Sequence, residues 1–341
     1  MRKRLDPAWI ALVAVCLLAP LAPSARAQVD AELNADKRLF PEIGPGLRAV
    51  RMGPDGKIYV LASPSPGLVV YSGDGKRLLA MKEASGISAE ARAEAEQSGE
   101  VLVGFGDDFD VGSDGTIYIA DRANSAIQVY GSKGNYIRSI HVKAPFSVVA
   151  LPEGEVAVTS LSAPQLVTVY DKNGRDVRDF GEFEELAERP DLNRFLNIGQ
   201  IVSDDSGHLY YAFAYFPEPT VKQFSRFGYV GQEIQFHEID ALPEARAVRR
   251  EIQRQDAKNA PPNFNRVVTA VGVERDNGEV WIAMGDTLMH FDKEGNRRAT
   301  YLIFTPKNAR LEANTIVVEK DRLIIGSDPL GVYEFERKPN Q

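Results

Sequence analysis

The sequence is almost without cysteine. Its one thiol, Cys16, lies in an apolar stretch near the start, so the remainder of the chain has no disulfide framework and no thiolate for catalysis or metal binding. Histidine is also scarce, with four among 341 residues. His141 and His237 end strand segments, His290 lies within a strand and His208 follows a turn, so they are not expected to meet. A zinc site built on several histidines is set aside on that placement. No Gly-x-Ser-x-Gly elbow occurs, and Gly104-Phe105-Gly106 lacks a third glycine and precedes no helix, so neither a nucleophile elbow nor a phosphate cradle is present. The one apolar run, from Ala8 to Leu18, is shorter than the ~20 residues a spanning helix needs and is followed by Pro20 and Pro23.

That run has another meaning. Arg2-Lys3-Arg4 precedes it, and Ala25-Arg26-Ala27 follows as a small-x-small site, the order of a secretory signal cleaved after Ala27. Cys16 follows Val15 inside the apolar core rather than at the cleavage point, so lipid anchoring is not expected. The expected location is periplasmic or secreted, with no integral membrane segment after cleavage. The leader carries Arg2, Lys3, Arg4 and Arg26 against Asp6, so its removal takes the formal charge from −8 to −11. Nucleic acid is not an expected partner of so acidic a chain. The basic cluster Arg246 to Arg254 is interleaved with Glu251 and reads as a solvated helix face.

What the chain has is a repeat. Gly56, Gly115, Gly154, Gly207 and Gly278 each stand two residues before an apolar triplet such as Ile58-Tyr59-Val60 or Ile117-Tyr118-Ile119, and Asp321 takes the same place before Leu323-Ile324-Ile325. In phase with them, Tyr71, Tyr130, Tyr170, Phe224 and Phe291 are each followed four residues later by glycine, and Phe335 is a sixth aromatic. Two columns in register over most of the chain define six units of four strands, which predicts an all-β, six-bladed β-propeller. The last unit lacks its fourth strand. The segment Asp36 to Ile43 resembles the fourth strands elsewhere and is expected to supply it. The expected organisation is a signal peptide over 1–27, a closing strand within 28–45 and the propeller over 46–338.

Three stretches depart from the period: 83–99, 182–196 and 238–262, each rich in helix formers. All lie between the fourth strand of one unit and the first of the next, so they are expected to decorate one face of the ring, where binding usually resides.

Gly115 to Gly134 carries a finer signature: Asp114-Gly115, Ile117-Tyr118-Ile119, Ala120-Asp121, Asn124, then Ile127 to Tyr130. This resembles the NHL repeat. The match is close in this unit, partial in the first and third, and skeletal in the rest. The resemblance implies a six-bladed propeller serving as a protein, peptide or small-molecule binding platform; some similar propellers are lyases or lactonases.

Residues at the starts of the inner strands should surround the channel entrance on the decorated face. Arg48, Asp108, Phe146, Gln200, Arg266 and Asn314 are the candidates, a mixture of charge, amide and aromatic suited to a polar or anionic ligand. The alternative is a metal-assisted lyase or lactonase using carboxylates near Asp108. No cofactor is expected, with calcium on Asp107, Asp108 and Asp110 the one open case. Tyr215, Phe216 and Pro217 either add an apolar contact surface or lie buried under the 238–262 insertion. The leading expectation is a binding module for a protein, peptide or small polar ligand, and a third reading makes the chain a scaffold within a larger envelope complex.

Overall fold

The computed structural model describes residues 29–63, 67–81, 93–94, 97, 106–235, 243–258 and 261–337. The leader and most of the 83–99 insertion lie outside the described residues.

The second strands are apolar on both faces, and every residue of Ile58–Ala62, Ile117–Asp121 and Val156–Ser160 is buried. A strand buried on both faces needs a sheet stacked against each of them, which radial packing provides. Six sheets of four antiparallel strands follow one another around the ring, the fifth carrying one further strand. Their inner strands are Leu47–Met52, Gly106–Val111, Pro145–Ala150, Gly199–Ser203, Ala270–Val273 and Thr315–Val318. Each packs on the next and the last on the first, closing a ring around a central channel. The molecule is a six-bladed propeller.

The core is divided among the blade interfaces. Tyr59, Leu61, Phe109 and Ile119 fill the seam between the first two blades. Phe180, Tyr211 and Phe224 fill that between the third and fourth, and Trp281, Ile316 and Phe335 that between the fifth and sixth. The glycines of the repeat have a backbone reason: Gly115 and Gly134 take φ of +82° and +79°, a region that costs other residues a steric clash.

The ring is closed by the N-terminal segment. Lys37–Leu39 pairs antiparallel with Gly331–Glu336 and forms the outer strand of the sixth blade. The preceding residues hold a strand the sequence did not announce: Ala31–Asn34 lies parallel to Arg297–Phe304 as a fifth strand on the fifth blade.

Of the 182–196 insertion only Pro190–Leu196 is helical. Arg189, held at ψ 122° by the proline that follows it, stops the helix from extending backwards through Phe183 to Glu188. The third insertion forms the helix Pro243–Asp256. The two helices share an apolar seam of Leu192, Leu196, Val248 and Ile252 with Val267. The Asp256 carboxylate accepts the backbone N–H groups of Glu188 and Arg189 at 2.9 and 3.0 Å. Phe216 and Pro217 are buried, and Tyr215 packs against Phe195 with ring centroids 4.6 Å apart, so this stretch is covered rather than offered to a partner.

Candidate functional site

The inner strands of the first three blades begin with the same irregularity. Leu47 pairs with Ala62 and Ala49 with Leu61, leaving Arg48 as an extra residue. Gly106 pairs with Asp121 and Asp108 with Ala120, leaving Asp107. Pro145 pairs with Ser160 and Ser147 with Thr159, leaving Phe146. A β-bulge re-aims the side chain of its extra residue. Three successive bulges thus set Arg48, Asp107 and Phe146 at one level of the channel mouth, on the face that carries the insertions. Each stands eight residues before the first-turn glycine of its blade, Gly56, Gly115 or Gly154.

Two further arginines complete the group. Arg122, in the loop after Ile117–Asp121, places its Nε 3.0 Å from Asp107 Oδ2. Arg266, in the segment entering the fifth blade, stacks its guanidinium 5.1 Å from the centre of the Phe146 ring. Burial pushes Asp107 up to about 6, and the charges of Arg122, Arg48 and Arg266 pull against that rise. One carboxylate is thus surrounded by three guanidinium groups beside an aromatic ring. The local charge is positive in a chain that is acidic overall, which suits a carboxylate or phosphate approaching the mouth.

Asp108 does not belong to this group. The bulge turns it into the wall, where it is buried, bonded to Arg51 Nη2 at 2.5 Å and to the Ser147 hydroxyl. Burial raises its pKa and the Arg51 charge opposes the rise. Ser147 Oγ in turn accepts the Ile201 N–H at 3.2 Å, and Thr315 Oγ1 accepts the Val50 N–H at 3.1 Å. These links tie together the inner strands of five blades. Asn314 is also a structural residue, its Oδ1 accepting the Asp328 N–H at 2.6 Å. Gln200 follows Gly199 in a strand without a bulge and is half-buried. Of the six residues selected from the sequence, Arg48, Phe146 and Arg266 come together; Asp107, named from the sequence only as a calcium ligand, and Arg122, not named there, complete the cluster.

Among the described residues no three His, Cys, Asp or Glu side chains are placed to hold a metal ion. His290 is stacked on Trp281 at 4.2 Å and bonded to Glu279 at 2.9 Å, and His208 is bonded to Asp204 at 2.9 Å. A separate cavity opens at the opposite mouth, where the inner strands end.

No family model matches this chain, and no curated protein matches it. Solved structures do resemble it. The WD40 repeats of RRP9 superpose with a TM-score of 0.54 at 10% identity, over 90% of this chain and 99% of that one. A catalytically inactive virginiamycin B lyase from Staphylococcus aureus with quinupristin gives 0.50 at 12% identity, over 88% and 87%. The likeness is one of fold. At these identities it carries no activity across.

Proposed function

We propose that this chain is an exported, NHL-like propeller that binds an anionic group of a protein, peptide or small ligand through its insertion-bearing face. The observation that carries this reading is the cluster at the channel mouth: Arg48, Arg122 and Arg266 around Asp107, with Phe146 beneath Arg266. Guanidinium groups present paired donors that match carboxylate and phosphate oxygens, and a half-buried setting strengthens that attraction. The packed insertion helices form a firm rim beside the mouth, which favours recognition of a ligand larger than a single ion.

The lyase or lactonase alternative asks for a metal on the carboxylates near Asp108. Asp108 would have to surrender Arg51 and Ser147, and Asp107 would have to surrender Arg122. The same holds for calcium. Binding without chemistry is the reading we adopt.

Thermal melting in the presence of citrate or pyrophosphate tests it. The wild-type protein should show a saturable rise in Tm, since a ligand at 100 times its Kd adds about 2.7 kcal/mol of stability. The Arg48→Ala/Arg266→Ala variant should lose that rise while keeping its unliganded Tm within a few degrees. Equal responses from both proteins would overturn the assignment. Export is checked by N-terminal sequencing of protein from a periplasmic fraction, which should begin at Gln28.

A further inference from the structure

The opposite end of the channel is built on different chemistry. There the inner strands run into their first turns and leave a cavity of about 270 Å³ bordered by all six blades. At ~30 Å³ per water molecule this is room for about nine waters, or for one small organic group. Its deep wall is apolar, formed by Val149, Val202, Val273 and Ile316. Around that wall carboxylates outnumber cations five to three.

Most of these charges already have partners. Arg51 is bonded to Asp108 at 2.5 Å, and Arg275 to Asp205 at 2.8 Å. Glu274 is held by Arg337 at 2.6 Å, and Glu319 by Arg322. Asp110 differs. It lines the cavity, half-buried, and accepts the Ala150 backbone N–H at 2.8 Å. Among the described residues no side-chain cation is hydrogen-bonded to it. Burial raises its pKa, and the charges of Arg51 and Arg275 with two backbone N–H groups oppose the rise. A carboxylate beside an apolar wall, with spare accepting capacity and two arginine charges nearby but none hydrogen-bonded to it, has room for a directly bonded cation.

We propose that this cavity binds a small aliphatic ammonium group, the charge on Asp110 and the methylenes along Val149 and Val202. An anion would face the carboxylate surplus of the lining, and a neutral apolar group would leave Asp110 with backbone partners alone. The group arrives either as a free alkylamine or as a lysine side chain presented by another protein. The assignment does not depend on the arginine cluster at the other mouth.

Isothermal titration of the full mature chain tests it with butylamine, Nα-acetyl-lysine methylamide, butan-1-ol and ammonium chloride. At least one of the first two should bind saturably, and which of them binds more tightly identifies the source. Asp110→Asn should weaken binding roughly ten- to a hundredfold, the range for a hydrogen bond to a charged group. Ser203→Phe, which blocks the rim without altering a buried charge, should abolish it, and this variant decides the matter if Asp110→Asn fails to fold. Arg48→Ala/Arg266→Ala should bind the amine unchanged, so failure here is separable from failure of the anion site. Absence of saturable binding, equal binding of butan-1-ol or ammonium, or undiminished binding by a folded Asp110→Asn overturns the proposal.

Discussion

Arg51 Nη2 and Asp108 Oδ1 meet at 2.5 Å inside the ring, each carried by the inner strand of a different blade. Arg51 also donates to the Val50 carbonyl at 2.9 Å, and Asp108 takes the Ser147 hydroxyl. The pair lies between the arginine-rich mouth above and the carboxylate-rich cavity below. It links the inner strands of two blades beside the apolar seam of Tyr59, Leu61 and Phe109.

Removing one partner of such a pair strands a buried charge. Asp108→Ala should destabilise the protein by about 3–5 kcal/mol in urea unfolding, and the double variant Arg51→Met/Asp108→Leu by clearly less. A double variant as unstable as the sum of the two singles would show that the residues act independently.

Asp107 sets a pH dependence. Burial raises it to about 6, above its ordinary value of 3.8. Between those values the folded chain holds a proton that the unfolded chain releases, so this group's contribution to stability falls as pH rises through the window from about 4 to 6. Asp107→Asn mimics the protonated form. It should match the wild type near pH 4 and exceed it at pH 7 by up to about 3 kcal/mol, less whatever is lost with Arg122. Melting curves of both proteins across this range check the crossover, and a constant gap would remove Asp107 as its source.

Anion binding at the same mouth should follow the opposite demand. As Asp107 protonates below pH 6, the three arginines lose their internal counter-charge, and citrate affinity should increase. In Asp107→Asn the affinity should be high at both pH 5 and pH 7.5, as measured by titration calorimetry.

Phe224 has no exposed surface and meets Phe180 at 5.2 Å in the seam between the third and fourth blades. Phe224→Ala should cost about 3–5 kcal/mol in chemical denaturation. A loss under 1 kcal/mol would mean that the seam collapses to fill the space.

Deletion of residues 28–44 removes both strands that join the fifth and sixth blades, Ala31–Asn34 and Lys37–Leu39. A fall in Tm of well over ten degrees is expected, and an unchanged Tm would show that closure contributes little.

The ring and its closing strand were legible because two columns of residues repeat in phase, and each column has a local backbone or packing cause. Arg48 and Phe146 were legible from the same spacing. Asp107 was too, since it shares their offset of eight from the first-turn glycine, but a regular strand directs attention to Asp108. The bulge, a defect in pairing rather than in sequence, decides between the two neighbours. Arg122 could not be found from its own surroundings, because its partner lies on another strand of the sheet. Ala31–Asn34 is only four residues long, and its parallel partner sits at the far end of the chain. The lower cavity is made by the ends of six strands, and no single segment announces it.

The N-terminal strands impose an order of events. Ala31 waits for Tyr301 and Lys37 for Glu334, so the first residues made find their partners only when nearly all the others exist. Until then the fifth and sixth blades keep bare edges and the ring stays open. A chain built this way cannot finish folding early.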